Sequence, residues 1–240
     1  MVGLAEANRT YHVAQDSMAL LPNYYRWSYS VFGRFLRGKV VELGSGSGLG
    51  IPAYVDRVDH VTAVDHDRAC LGRIRTAWPE DKVTTLQADL IGDWRELQGI
   101  QADSVLMMDV IEHFADDETL LRKSAALLNS GGHLLVKVPA QSALYSAMDE
   151  ASGHYRRYDA DQLRQLAINA GLEIVSLTSM NRLGAIAYRT RRKRRSNFSR
   201  SFSPAQLRAI NWALPLVRLG DVVPGLPGLS LVGVFRPTTP

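Results

Sequence analysis

The chain has 240 residues, 46% apolar and 22% charged, an ordinary globular composition that excludes general disorder. No stretch approaches the ~20 uninterrupted apolar residues of a membrane span, the N-terminus lacks a basic-then-apolar leader pattern, and the single cysteine, Cys70, excludes a disulfide framework or a cysteine-rich zinc site; a cytoplasmic protein is the expectation. Much of the net charge of +4 sits in one run, "RTRRKRR" (189–195), so the surface as a whole is not a nucleic-acid footprint.

In chain order, "NYYRWSYSVF" (23–32) reads as an aromatic-rich amphipathic helix that either packs against the sheet or serves as a lid, with Tyr24 or Tyr25 reaching inward. Val- and Leu-rich runs at 38–43, 60–65, 82–89, 103–110 and 132–139 read as strands bounded by turn residues. Helical patterns lie between them at 67–77, stopping before the Trp78-Pro79 pair, and at 116–128, stopping at Asn129 ahead of Gly131-Gly132. Strands separated by helices at this spacing imply right-handed βαβ units and a parallel sheet. Next, "DADQLRQLAINAGLEIVSL" carries a helix capped by Asp159 or Asp161, which ends at Gly171 and feeds a further strand. Residues 180–221 differ in kind, holding the basic run, several serines and a helix from 203–204 to about 219 with Pro204 in its first turn. "PGLPG" then turns the chain into a last strand, "LSLVGVFRP" (229–237). The expected organisation over 1–240 is one domain: a helical lid at 1–37, a core at 38–180, a helical, basic insertion or cap at 181–228, and the last strand at 229–237.

The stretch "VVELGSGSGLGIP" (40–52) sets Gly44, Gly46, Gly48 and Gly50 behind the first strand, where backbone amides meet a ligand at close range. A P-loop needs G-x-x-x-x-G-K-[ST], and no lysine is present. The dinucleotide pattern G-x-G-x-x-G fails from Gly44, where its last position is Leu49, and from Gly46, where it is Ile51. The remaining candidate is S-adenosylmethionine, a nucleoside with an amino-acid tail and no pyrophosphate, whose fold uses E-x-G-x-G-x-G. "VVELGSGSG" followed by "AVDHD" resembles motif I and the second-strand acidic loop of class I S-adenosylmethionine-dependent methyltransferases. The resemblance continues in order through "QADL", "LMMDVIEHF" and "LLNSGGHLLVKVP", covering roughly residues 24–180 and the last strand. The segment "LYSAMDEASGHYRRYDADQL" is similar to bacterial small-molecule methyltransferases of the broad type 11/12 groups. Such a resemblance implies an α/β three-layer sandwich around a seven-stranded, mostly parallel, Rossmann-like sheet whose last strand runs antiparallel.

The resemblance also implies a set of site residues. The backbone of Gly44, Ser45 and Gly46 would pass under the methionine part of the cofactor, and Glu42 would organise that loop or the cofactor's ammonium group. Asp65, with His66 beside it, would accept the ribose hydroxyls. Asp89 would meet the adenine amine, with Ala88 and Leu90 against the ring. Met108 and Asp109 would stand where the fourth strand opens towards the transferred methyl. Each acid could instead be a helix cap or a loop hydrogen-bond acceptor.

Methyl transfer is an in-line displacement at a sulfonium carbon, so an enzyme must mainly align the nucleophile. A hydroxyl nucleophile also needs a base, which histidine suits. His113 in "DVIEHF" and His154 in "SGHYRRY" follow the fourth and fifth strands, where a parallel sheet opens its cleft, and they are the catalytic candidates. Tyr24, Tyr155 and Arg157 are candidates for holding the acceptor, Arg157 through an anionic group. Against this, His113 could simply start the next helix, and "GHYRRY" could be a surface loop. The other histidines, His12, His60, His66 and His133, have no metal-ligand spacing, so a metal-assisted mechanism is not expected. The basic run is by default a solvated face. A nucleic-acid patch would expect interleaved aromatics, yet only Tyr188 and Phe198 flank it. The neighbouring apolar helix "AINWALPLV" gives some support to peripheral contact with an acidic membrane, or to a lipid-phosphate acceptor. The expected function is methylation of a small or lipid-linked acceptor, at oxygen rather than nitrogen or carbon. The rivals are an RNA or DNA methyltransferase, for which neither an Asn/Asp-Pro-Pro-Tyr/Phe nor a Pro-Cys motif is present, and a non-catalytic cofactor-binding subunit.

Overall fold

The computed structural model describes residues 15–191, 203–222 and 225–238. Residues 1–14 of the expected lid, His12 among them, and residues 192–195 of the basic run, with Phe198, lie outside the described residues. The strands are β1 Lys39–Leu43, β2 His60–Asp65, β3 Val83–Gln87, β4 Ala102–Met108, β5 Leu128–Pro139, β6 Leu172–Met180 and β7 Ser230–Pro237. They form one seven-stranded sheet in the order β3-β2-β1-β4-β5-β7-β6. β1 pairs in parallel with β2 and β4, β2 with β3, and β4 with β5; β7 runs antiparallel to both of its neighbours, β5 and β6.

The helices are α1 Pro22–Ser30, α2 Arg68–Ala77, α3 Asp117–Ala125, α4 Ala147–Ala151, α5 Ala160–Asn169, α6 Arg182–Arg191 and α7 Pro204–Leu219. Their starts obey capping chemistry. Asp67 accepts from the Ala69 and Cys70 amides, Asp116 from Thr119, and Asp159 rather than Asp161 caps α5, its own amide bonding Gln162. One boundary differs from the sequence reading: α3 ends at Ala125, and β5 begins at Leu128 instead of 132. Gly131, at φ +76°, lies inside the strand, where the ladder to β4 shifts register between Ala102 and Ser104. The glycine pair shapes a strand irregularity instead of a helix stop.

Period-two alternation divides the core between the two faces of the sheet. Val105 and Met107 of β4, with Leu134 and Val136 of β5, meet Leu120 and Leu121 of α3 and Leu163 and Ala167 of α5. Leu106 and Leu135 point the other way, into a cluster holding Trp27 of α1, Leu71 and Ile74 of α2 and Leu214 of α7. α1 and α7 are joined directly: Asn23 donates its amide to Asn211 Oδ1 at 2.8 Å and its Nδ2 to the Asn211 carbonyl at 2.9 Å. The outer side of α7 leaves Trp212, Leu216 and Leu219 exposed. Among the described residues no helix is long and apolar enough to cross a membrane.

Candidate functional site

The carboxyl ends of β1, β2, β4 and β5 converge on the loops that carry the sequence-predicted residues, as a parallel sheet with a central crossover requires. Glu42, near the end of β1, is buried and clamped from two sides. Tyr29 Oη donates to Oε1 at 2.5 Å and Tyr54 Oη to Oε2 at 2.8 Å, the two rings stacked 5.1 Å apart. Burial pushes its carboxyl up to about 7, although both tyrosine bonds oppose the rise. Glu42 therefore braces α1 and the loop after β1 from inside. The glycines answer to protein neighbours as much as to a ligand. A Cβ on Gly44, whose φ is +72°, would lie 2.7 Å from Val110, and one on Gly50 would lie 1.9 Å from the Tyr29 hydroxyl.

Asp65 is buried at the end of β2, with Oδ2 accepting from the Gly46 amide at 2.8 Å and Oδ1 from the Asp67 amide at 2.8 Å. Exposed His66 lies 3.3 Å from Oδ1. The carboxylate thus fixes the glycine loop, and its remaining lone pairs are what a ribose could use. Ser45, on that loop, has a buried hydroxyl with no hydrogen-bonding partner. An orphaned donor beside amides held open by glycines fits the polar amino-acid tail of S-adenosylmethionine. On the next loop Ala88 is buried, Leu90 is half-buried, and exposed Asp89 turns the chain through the Ile91 amide at 2.9 Å.

Met108 is half-buried at the end of β4, and Asp109 comes next at φ +55°, a conformation unusual for a side-chain-bearing residue. Asp109 pairs with Lys137, a lysine 1% exposed near the carboxyl end of β5. Burial alone would lower the lysine's pKa, but Asp109 and Tyr24 hold it above the ordinary range. The Lys137 ammonium lies 5.5 Å from the centre of the Tyr24 ring, so α1 does reach over the strand ends.

The acceptor candidates meet across a fold-back that the sequence spacing did not show. The Tyr155 amide donates to the Glu112 carbonyl at 2.7 Å, bringing the segment after α4 against the β4–α3 loop. This sets the rings of His113 and His154 edge to face, 4.6 Å apart. Desolvation, then His154, push His113 down to about 4. The residue remains exposed at the rim, so water screens part of that shift, and its direction is what the site uses. His154 Nδ1 lies 3.2 Å from Asp149 Oδ1. Burial by itself would raise the Asp149 carboxyl, but His154, Arg157 and Ser146 hold it well below the usual range.

Arg157 departs from the expectation of an open anion clamp. Its Nε and Nη2 each lie 2.8 Å from Asp149 Oδ1, Nη1 donates to the Ala140 carbonyl, and the guanidinium sits 4.6 Å from the centre of the Tyr188 ring. A buried guanidinium with a buried carboxylate beside it is held inside the fold. Arg156 and Tyr158 are likewise tied to Asp117, at 2.9 Å and 2.7 Å, whereas Tyr155 projects into solvent. Sequence reasoning passed over Tyr29, Tyr54, Glu112, Lys137 and Asp149. A lysine inside "HLLVKVP" was a visible signal, because a charged residue in a strand buried on both faces needs a partner. The others had no comparable mark.

A family of methyltransferase domains matches residues 21–177. A probable S-adenosylmethionine-dependent methyltransferase of Mycobacterium tuberculosis is 30% identical over 143 residues, 59% of this chain and 51% of that protein, so the chain spans about half the length of the curated relatives it matches. Among solved structures, the methyltransferase complexed with the Trm112 activator of Haloferax volcanii superposes with a TM-score of 0.65 at 16% identity, covering 96% of each chain. An O-methyltransferase family protein of Burkholderia thailandensis gives 0.57 at 22% identity over 69% of this chain and 55% of that one. Motif order, sheet order and the match over most of the core agree: the chain belongs to the class I S-adenosylmethionine-dependent methyltransferases.

Proposed function

We propose that the protein transfers the methyl group of S-adenosylmethionine to a hydroxyl of a small or lipid-linked acceptor. The observation that carries this reading is the facing pair His113 and His154 at the β4–β5 mouth, next to the loops assigned to the cofactor. An imidazole kept neutral by desolvation and by a second imidazole presents a lone pair to an acceptor O–H. A weakly basic nitrogen orients that hydroxyl more than it deprotonates it. Glu42, Gly44, Ser45, Gly46 and Asp65 would hold the methionine and ribose parts of the cofactor. His66, Ala88, Asp89 and Leu90 would border its nucleoside, and Met108 and Asp109 its methyl. Tyr24 and Tyr155 would border the acceptor, with α1 as lid and α6–α7 as cap.

Oxygen as the methylated atom is supported by the histidine pair and by the Burkholderia thailandensis neighbour's family name. A lipid-linked acceptor is supported by the exposed apolar side of α7, next in sequence to the basic run. The test is methyl transfer from labelled S-adenosylmethionine across hydroxylated acceptors. His113→Ala should cut turnover by a factor of roughly 10², as lost alignment does, with cofactor affinity unchanged, and His154→Ala should mainly raise the acceptor's KM. Transfer to amines alone, or turnover untouched by both substitutions, would remove the histidine pair from the reaction.

A further inference from the structure

Outside the roles assigned above, one buried group has no task. Glu112 is 0% exposed, and neither carboxylate oxygen has a hydrogen-bonding partner. Such a group is costly to bury unless a cation or a proton meets it. The cations within reach are already engaged: Lys137 by Asp109, and Arg157 by Asp149 and the Ala140 carbonyl. What Glu112 does meet is the histidine pair. One ligand atom from each of Glu112, His113 and His154 lies within 4.8 Å of the others.

We propose that Glu112, His113 and His154 form a binding site for one divalent transition-metal ion at the rim of the cleft. Atoms bound about 2.1 Å from an ion sit roughly 3.4 Å apart, so side-chain movements of about an ångström close the set. The His154 imidazole is already braced through Nδ1 by Asp149 Oδ1, which leaves its Nε2 for an ion. Support of this kind behind the His154 ring fixes its orientation and tautomer for a metal. Two imidazoles and one carboxylate suit zinc, cobalt, manganese or ferrous iron better than the hard cations magnesium and calcium, which favour oxygen. Exposed His113 gives the ion a way in. Three protein donors leave positions for water or for an acceptor oxygen, whose proton a bound cation makes easier to lose. That last role rests on the methyl-transfer reading above; the binding itself does not.

The test is to strip the purified chain with EDTA, exchange it into metal-free buffer and titrate it with cobalt(II) chloride. Visible absorption and calorimetry should show one saturable equivalent. Glu112→Gln and His154→Asn should each weaken binding about tenfold or more. His60→Asn, at the far end of β2, should leave it unchanged. Glu112→Gln is nearly isosteric, and its circular dichroism and S-adenosylmethionine affinity report that the fold is kept. No saturable cobalt binding, or equal binding by Glu112→Gln, overturns the site. Because the readout is metal binding, a chain that binds cobalt but methylates no acceptor supports the site while counting against the activity proposed above.

Discussion

The two sides of the cleft satisfy their acids differently. On the β1–β2 side the buried carboxylates take their hydrogen bonds from neutral donors, Glu42 from two tyrosine hydroxyls and Asp65 from two backbone amides, with only the exposed His66 imidazole beside Asp65. On the β4–β5 side two acids meet buried cations, Asp109 with Lys137 and Asp149 with Arg157 and also His154, while Glu112 has no hydrogen-bonding partner. Neutral donors make a rigid seat that changes little on ligand binding. Charged pairs and an orphaned acid make a region whose energy depends on what enters it. The difference suits the proposed division of the cleft, with a cofactor of fixed shape on one side and an acceptor-specific chemistry on the other.

The comparison breaks first at Arg157. If it is internal structure, Arg157→Ala strands the buried Asp149 charge and should cost about 3–5 kcal/mol in urea unfolding. A fold of ordinary stability with a raised acceptor KM would return Arg157 to the acceptor. Next is Glu42, whose folded-state pKa of about 7 lies above the ordinary 4.5. A raised pKa means the native state is favoured while the acid is neutral, so this contribution is full below about 4.5 and lost as pH rises through about 7. At about 1.4 kcal/mol per unit, the unmodified chain should lose up to about 3 kcal/mol relative to Glu42→Gln across that window. A pH-independent difference in paired urea titrations would mean that the tyrosines keep Glu42 ionised throughout. Asp65→Ala should weaken S-adenosylmethionine binding by about 1.5–3 kcal/mol in calorimetry, and unchanged affinity would show that the loop needs no anchor. The smallest effect belongs to Trp212→Ser on the exposed side of α7. It should move stability by no more than about 0.5 kcal/mol while reducing co-sedimentation with vesicles containing anionic lipid. Equal co-sedimentation would separate that face from any lipid-linked acceptor.

How far the sequence could be read depends on the range of the physics. Strand and helix positions rest on local periodicity and caps, so β1, β2 and α7 fall within a residue or two of their expected limits. Gly131-Gly132 misled because a glycine pair marks a helix stop and a strand irregularity alike. The glycine loop reads in the sequence as a candidate ligand loop, but the protein atoms that require Gly44 and Gly50 do not show there. Those belong to Val110 and Tyr29, far along or behind in the chain. His113 and His154 were each visible as cleft residues. Their meeting depends on a turn that brings the Tyr155 amide to the Glu112 carbonyl, a contact no spacing rule encodes. Arg157 looked like an anion clamp because its partner, Asp149, reads as an ordinary first-turn helix acid.

The placement of β7 also sets the timetable of synthesis. β6 is hydrogen-bonded into the sheet through β7 alone among the described strands, and β7 also covers the free edge of β5. Until residue 237 has left the ribosome, β5 presents an unpaired apolar edge and β6 has no place in the sheet, although both were made many residues earlier. Unpaired edges of this kind recruit strands from other chains. A nascent chain paused before β7 has emerged is therefore the species most exposed to aggregation and most in need of a chaperone, and faster passage through the codons of β7 should raise the soluble yield.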